Sequence, residues 1–197
     1  MDTLQFLREE GIRDSILTEI EAFRKEYPLA EFDRNRVPVP KFHYYGKDVW
    51  EKALTAILSG ENILLSGVKA TGKNVLAENL SAAFCRPEWD ISFYLNTDAS
   101  TLIGTDTFQN GSVTLRHGPI YQCAEHGGFG ILDEINMAKN ESLAVLHATL
   151  DFRRMIDVPG YDRIALSPCT RFIATMNYGY AGTRELNEAL SSRFVVI

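Results

Sequence analysis

A short apolar run, Asn62–Gly67 (NILLSG), leads straight into the loop Gly67–Lys73 (GVKATGK) and then into a helical pattern from Asn74 to Phe84. Strand, glycine-bounded loop and helix in that order leave few folds open. The glycines allow backbone angles that aim several N–H groups at one point, and the helix start adds the positive end of a dipole. Lys73 adds a mobile cation. The segment Gly67, Val68, Lys69, Ala70, Thr71, Gly72, Lys73, Asn74 and Val75 is therefore read as a phosphate-binding loop. Serine or threonine ordinarily follows such a lysine, where its hydroxyl ligates Mg2+. Asn74 stands there instead, and its amide oxygen is also able to ligate a hard cation.

The rest of the chain alternates in the same way. Val49–Leu58 carries a helical stripe, Ile91–Asn96 reads as a strand and Ile120–His126 as a helix. Phe129–Asp133 reads as a strand, Ser142–Leu150 as a helix, Arg171–Met176 as a strand and Glu185–Ser191 as a helix, and Phe194–Ile197 begins one more strand. Short apolar strands separated by helices predict an α/β fold with a parallel sheet covered on both faces and ligands at the carboxyl ends of its strands. Two segments interrupt the pattern. Gly104–Pro119, around Asn110-Gly111, and Met155–Leu166, around Pro159-Gly160, are predicted as protruding hairpins. Towards the N-terminus, Ile12, Ile16, Ile20 and Phe23 share one helical face, and Arg34–Phe42, with two prolines, reads as an extended linker. Residues 1–40 are thus expected as a helical arm and linker, and 41–197 as the main domain.

Chemistry-bearing residues gather at predicted strand ends. Asp133, closing its strand, is placed to hold Mg2+, and the adjacent Glu134 to orient or deprotonate an attacking water. Asn177 follows RFIATM, where an amide hydrogen-bonds a water and a γ-phosphate or simply makes a turn. Arg193 follows a short helix; it either caps that helix or reaches a neighbouring subunit's site, and spacing leaves both open. Arg184 is a second candidate for such a reach. Tyr44 and Tyr45, just before the main domain's first helix, either pack the linker or contact an adenine. Arg153 and Arg154 are expected on a solvated helix end. His117, Cys123 and His126 match no strong zinc spacing.

Taken in order, GVKATGKN, GPIYQCAEHGGFGILDEIN, FIATMNYGYAGT and LNEALSSRF resemble AAA+ ATPases of the MoxR type, in the helix-2-insert clade, over about Tyr44–Ile197. The resemblance implies a P-loop NTPase core with a five-stranded parallel sheet in the order 5-1-4-3-2. Gly104–Pro119 would be the helix-2 insert and Met155–Leu166 the pre-sensor-1 hairpin. By the same resemblance Lys73 is the Walker A lysine, Asp133 and Glu134 the Walker B pair, Asn177 sensor 1 and Arg193 the arginine finger. ATP and Mg2+ are the implied cofactors, with Asn74 and Asp133 as metal ligands. The implied activity is Mg2+-dependent ATP hydrolysis that remodels a partner in a chaperone-like way. A homo-oligomeric ring, hexameric in the full-length protein, and a partner with a von Willebrand factor A domain are implied too. The family's helical lid, with its sensor 2 arginine, is expected after the fifth strand and is absent from a chain that stops at Ile197. Two further readings stand beside this one. Asn74 suits a nucleotide-gated binding module that hydrolyses little, and related rings serve as subunits of DNA-directed motors.

Charge and composition narrow these readings. Lys+Arg number 20 against 26 Asp+Glu, a net charge of −6, which argues against a face that contacts nucleic acid directly. No apolar run approaches the roughly 20 residues that span a bilayer. MDTLQFLREEG is charged where a signal peptide is apolar. Three cysteines, odd in number and far apart, predict a reduced, cytoplasmic setting.

Overall fold

A computed structural model describes residues 2–109, 111–158, 160–179 and 184–197. The turn residues Asn110 and Pro159, and residues 180–183 of the FIATMNYGYAGT motif, lie outside the described residues. Helices α1 (Thr3–Glu9) and α2 (Asp14–Glu26) open the chain. The predicted linker is part helical: Glu31–Arg36 forms a 3-10 turn before the chain extends. Helix α3 (Lys47–Leu58) enters β1 (Ile63–Gly67), and the phosphate loop joins β1 to α4 (Lys73–Ala83). Next come β2 (Glu88–Ser92), α5 (Ala99–Ile103) and the antiparallel hairpin β3 (Gly104–Gln109) with β4 (Ser112–His117). Helix α6 (Pro119–His126) leads into β5 (Phe129–Asp133). Short helices α7 (Asn140–Leu143) and α8 (His147–Leu150) precede a second hairpin, β6 (Met155–Ile156) with β7 (Ile164–Ala165). Strand β8 (Arg171–Asn177), helix α9 (Glu188–Ser191) and strand β9 (Val195–Val196) complete the described chain.

Five of these strands form one sheet in the order β2-β5-β8-β1-β9, every pair parallel. Numbered within this sheet alone, the order is 5-1-4-3-2 from the other edge. Side chains alternate between the two faces. Ile63 and Leu65 of β1 pack with Trp50, Leu54, Leu76 and Leu80 in one buried cluster, whereas Leu64 joins Trp89, Leu132 and Phe172 in another. The sheet is therefore covered on both faces. Leu7, Ile16, Ile20 and Phe23 of the arm belong to the first cluster. Burying each contributes about 1.5–3 kcal/mol relative to leaving it in water.

Four further elements differ from the sequence expectation. The second strand covers Glu88–Ser92 rather than Ile91–Asn96. It is an edge strand, so only Trp89 and Ile91 turn into the core, and the alternating Glu88 and Asp90 hide the pattern. The expected helix Ser142–Leu150 is two short helices around a 3-10 turn, Ala144–Leu146. The helix before Arg193 starts at Glu188, because the Asn187 carboxamide oxygen accepts the Leu190 N–H at 2.7 Å. Helix α5, not foreseen, starts where Asp98 accepts the Thr101 N–H at 2.9 Å. Among the described residues, no helix is long and apolar enough to cross a membrane.

Candidate functional site

The loop after β1 takes the shape its glycines allow. Gly72, at the cap of α4, has φ +83°, and Ala70 also lies in the left-handed region at +65°. A Cβ at Gly72 would sit 3.2 Å from the Tyr44 ring, so tyrosine and loop are in close contact. Among the described residues, no side chain caps the first turn of α4, whose leading N–H groups have no partner within the helix. The Lys73 ammonium donates to the carbonyls of Val68 at 2.8 Å and Gly67 at 3.2 Å. Burial pulls Lys73 below the usual lysine value, and the carboxylates of Asp133 and Glu134 oppose that shift.

Parallel pairing brings the acids to this loop. In register, β8 sets Asn177 beside Gly67 and Thr175 beside Leu65, and β5 runs along its other side. Asp133, Glu134, Thr175 and Asn177 line a cleft of about 280 Å³ together with the loop from Lys69 to Val75. Four of the expected residues, Lys73, Asp133, Glu134 and Asn177, thus meet at the carboxyl ends of adjacent strands. Glu134 has φ +53° and ψ +44°, in the left-handed region, where the chain leaves β5. Asn177 donates its amide to Glu134 Oε1 at 3.1 Å.

Thr175 is a member of this site that sequence reasoning missed. Its hydroxyl donates to Asp133 Oδ1 at 2.7 Å and accepts the Glu134 N–H at 3.0 Å. It is buried and ties the Asp133 carboxylate to the Glu134 main chain. The available signal was a polar residue two positions before Asn177, hence on the same face of an apolar strand. Asn136 supports the far side, donating to the Asn177 carbonyl at 2.8 Å.

A second cavity, about 250 Å³, opens beside the loop and is largely apolar. Tyr44, Val49, Leu76, Tyr178 and Ile197 line it with Gly67 and Lys73. Tyr44 is thus at the site. Tyr45 is not among the lining residues; it is exposed and meets the Phe6 ring edge-on at 5.4 Å. Asn74 and Asp133 also border an acidic cavity of about 380 Å³ with Glu78, Glu88 and Asp90. A roomier cavity of about 580 Å³, between α3 and β9, shares no residue with the phosphate-loop cleft.

Arg193 is elsewhere. It bonds the carbonyls of His147 and Ala189 and lies 3.4 Å from Asp151 Oδ2. Within its own chain it holds its helix and does not line the cleft. Arg184 donates its backbone N–H to the Asn136 carbonyl at 3.2 Å, next to the site's outer support. Arg153 is exposed as expected, but Arg154 turns inward to the carbonyls of Ser167 and Thr170, because the main chain there needs donors. His126 pairs with buried Asp33 at 3.1 Å, His117 packs on Tyr121, and Cys123 is a buried free thiol. No cluster suited to a metal ion occurs there or elsewhere among the described residues by His, Cys, Asp and Glu alone.

Residues 62–194 match the family model of the AAA domain, dynein-related subfamily. The chain belongs to the AAA domain family. The order of motifs that resembles MoxR-type AAA+ ATPases agrees with this membership, and the family is one of nucleotide-binding proteins that commonly assemble as rings. This AAA domain is 35% identical over 178 residues to the protein YojN of Bacillus subtilis, a match covering 88% of the chain and 59% of the relative. It is 39% identical over 163 residues to SSP1341 of Staphylococcus saprophyticus, covering 79% and 62%. Both relatives are uncharacterised, and the chain spans about three fifths of their length. A solved structure from Cytophaga hutchinsonii that carries a provisional ATPase name shares the fold, with a TM-score of 0.59 at 21% identity over 93% of this chain and 53% of that one.

Proposed function

We propose that this AAA domain binds ATP with Mg2+ and hydrolyses it, as part of a MoxR-type AAA+ ATPase. The observation that carries the reading is one cleft in which the phosphate loop, Lys73, Asp133, Glu134 and Asn177 converge. The residues present suit the groups they would hold. Among the described residues the Lys73 ammonium rests on loop oxygens alone, and the first turn of α4 is uncapped by any described side chain, so donors are ready for phosphate oxygens. Asn74 and Asp133 offer the oxygen donors that a hard cation takes. Bound Mg2+ supplies neutralisation of charge on the β- and γ-phosphates.

The chain's own groups divide the remaining work. Gly67–Val75 hold the triphosphate, and Tyr44 with the apolar cavity receives the base. Glu134 takes the proton of a water as that water's oxygen bonds the γ-phosphorus. The bond from γ-phosphorus to the bridging oxygen breaks, leaving ADP and phosphate. Asn177, bonded to Glu134, orients the water. Thr175 holds the Asp133 carboxylate and the Glu134 main chain in place. Arg193 neutralises developing charge in the site of a neighbouring subunit in a hexameric ring, which its place outside its own cleft supports. Turnover then remodels a client in the cytoplasm, beside a partner with a von Willebrand factor A domain.

Asn74 favours a second reading, a nucleotide-gated module with little turnover, since an amide replaces the usual hydroxyl. Fluorescent-nucleotide titration together with steady-state turnover tests both. Lys73→Ala is expected to lose roughly 100-fold in ATP affinity with an unchanged thermal midpoint. Unaltered affinity in the folded variant overturns the phosphate-loop reading. Tight ATP binding with no turnover at any protein concentration selects the second reading.

A further inference from the structure

The strap ahead of α3 holds Tyr44 at the site, and its ties come from several elements. The Trp50 indole N–H donates to the Tyr44 carbonyl at 2.8 Å. Asn79 of α4, fully buried, donates its amide to the Phe42 carbonyl at 2.8 Å. The Tyr44 ring fills the space a Cβ would need at both Gly72 and Gly46, 3.2 Å from each ideal position. Gly46 itself has φ +143°, a conformation that side chains rarely adopt, and it caps α3.

The arm adds the tie at this strained point. Glu10, at the end of α1, accepts the Gly46 N–H on Oε1 at 2.8 Å. A carboxylate there also meets the positive end of α3. One turn earlier, Phe6 stacks on the His43 ring with centroids 4.4 Å apart. The arm has a separate anchor on α3, the Arg13–Glu51 ion pair at 3.1 Å. Loss of Glu10 therefore frees Gly46 without undocking the arm.

We infer that Glu10 is a positioning residue for nucleotide binding: by fixing Gly46 it holds Tyr44 against the phosphate loop, so the N-terminal arm sets affinity for the nucleoside half of ATP. This rests on the nucleotide reading above. It separates the two halves of the ligand, because inorganic tripolyphosphate reaches the loop and Lys73 but has nothing to lay beside Tyr44.

Calorimetric titration of the whole chain with ATP and with tripolyphosphate is the test. Glu10→Ala is expected to weaken ATP about 5-fold and leave tripolyphosphate within about twofold. Glu10→Gln, which keeps an acceptor oxygen, is expected to recover most of that loss. In a Tyr44→Ala background, Glu10→Ala is expected to add nothing, since it acts through the ring. Phe6→Leu carries the same test if Glu10→Ala fails to fold. Unchanged ATP affinity, equal losses for both ligands, or a loss additive with Tyr44→Ala overturns the inference. If the wild-type chain binds neither ligand, the nucleotide reading itself fails and takes the inference with it.

Discussion

The two ends of the central sheet both bury charge, and they use it in opposite ways. At the amino ends, Arg171 opens β8 and Arg86 lies just before β2, only 6% and 3% exposed. Arg86 donates to the carbonyls of Gly127, Tyr27 and His126, and Arg171 to those of Ile57, Pro168 and Thr170. Burial, with Arg154 nearby, lowers the Arg171 guanidinium to about 10. These cations are saturated by main-chain oxygens from several segments, so they tie those segments together. At the carboxyl ends, Lys73, Asp133 and Glu134 face a cleft with room for a ligand. Burial of a charge marks neither structure nor chemistry by itself. What decides is whether the chain's own atoms exhaust its partners.

That contrast breaks if an amino-end substitution alters nucleotide handling, or a carboxyl-end one unfolds the chain. The largest expected effect is at the amino end. Arg86→Ala should lower unfolding free energy by about 3 kcal/mol, since it strips a donor from three main-chain carbonyls and leaves a void. Urea denaturation measures it, and ATP affinity of the molecules that remain folded should be unchanged. At the other end, Glu134→Gln should reduce turnover about 100-fold while its denaturation midpoint and ATP affinity stay at wild-type values. A variant that turns over normally removes the role assigned to Glu134.

Glu88 lies between the two cases. Its Oε2 is buried with no hydrogen-bond partner among the described residues, and burial, with Asp90 and Glu78 nearby, raises its carboxyl to about 7 against a reference of 4.5. A folded value above the unfolded one stabilises the chain fully below about 4.5, and that contribution is lost as pH rises through about 7. Glu88→Gln should therefore be more stable than wild type by on the order of 2 kcal/mol at alkaline pH and no more stable in acid. Denaturation in the presence of a chelator measures this; a pH-independent difference would falsify the buried-carboxyl account. The smallest effect expected is at Thr175. Thr175→Val keeps the shape but loses both hydrogen bonds, and turnover should fall roughly tenfold with ATP affinity near wild type. Equal loss of affinity would make Thr175 part of the binding surface instead.

These residues also show what a sequence displays. The loop Gly67–Val75 was legible because its geometry is local: spacing along nine residues fixes which groups converge. Asp133, Glu134 and Asn177 were legible as strand ends, since apolar strands stop where the chain turns polar. Thr175 was not, because its two hydrogen bonds exist only once β5 and β8 pair in one particular register. Arg193 stayed ambiguous for a similar reason: its intrachain partners His147 and Asp151 lie more than forty positions away. Edge strand β2 was misplaced by Glu88 and Asp90, whose polarity reads as loop until the strand's place at the edge of the sheet is known. The buried arginines gave no signal, as a carbonyl lining leaves no mark in side-chain identity.

The left-handed backbone at Glu134 biases how this position drifts. Glycine, asparagine and aspartate adopt such angles readily, and β-branched residues resist them. The replacements that spare the turn are thus ones that shorten, neutralise or delete the carboxylate. If Glu134 is the base proposed above, forms that hold nucleotide without turning it over lie one substitution from active ones, at little cost to this turn.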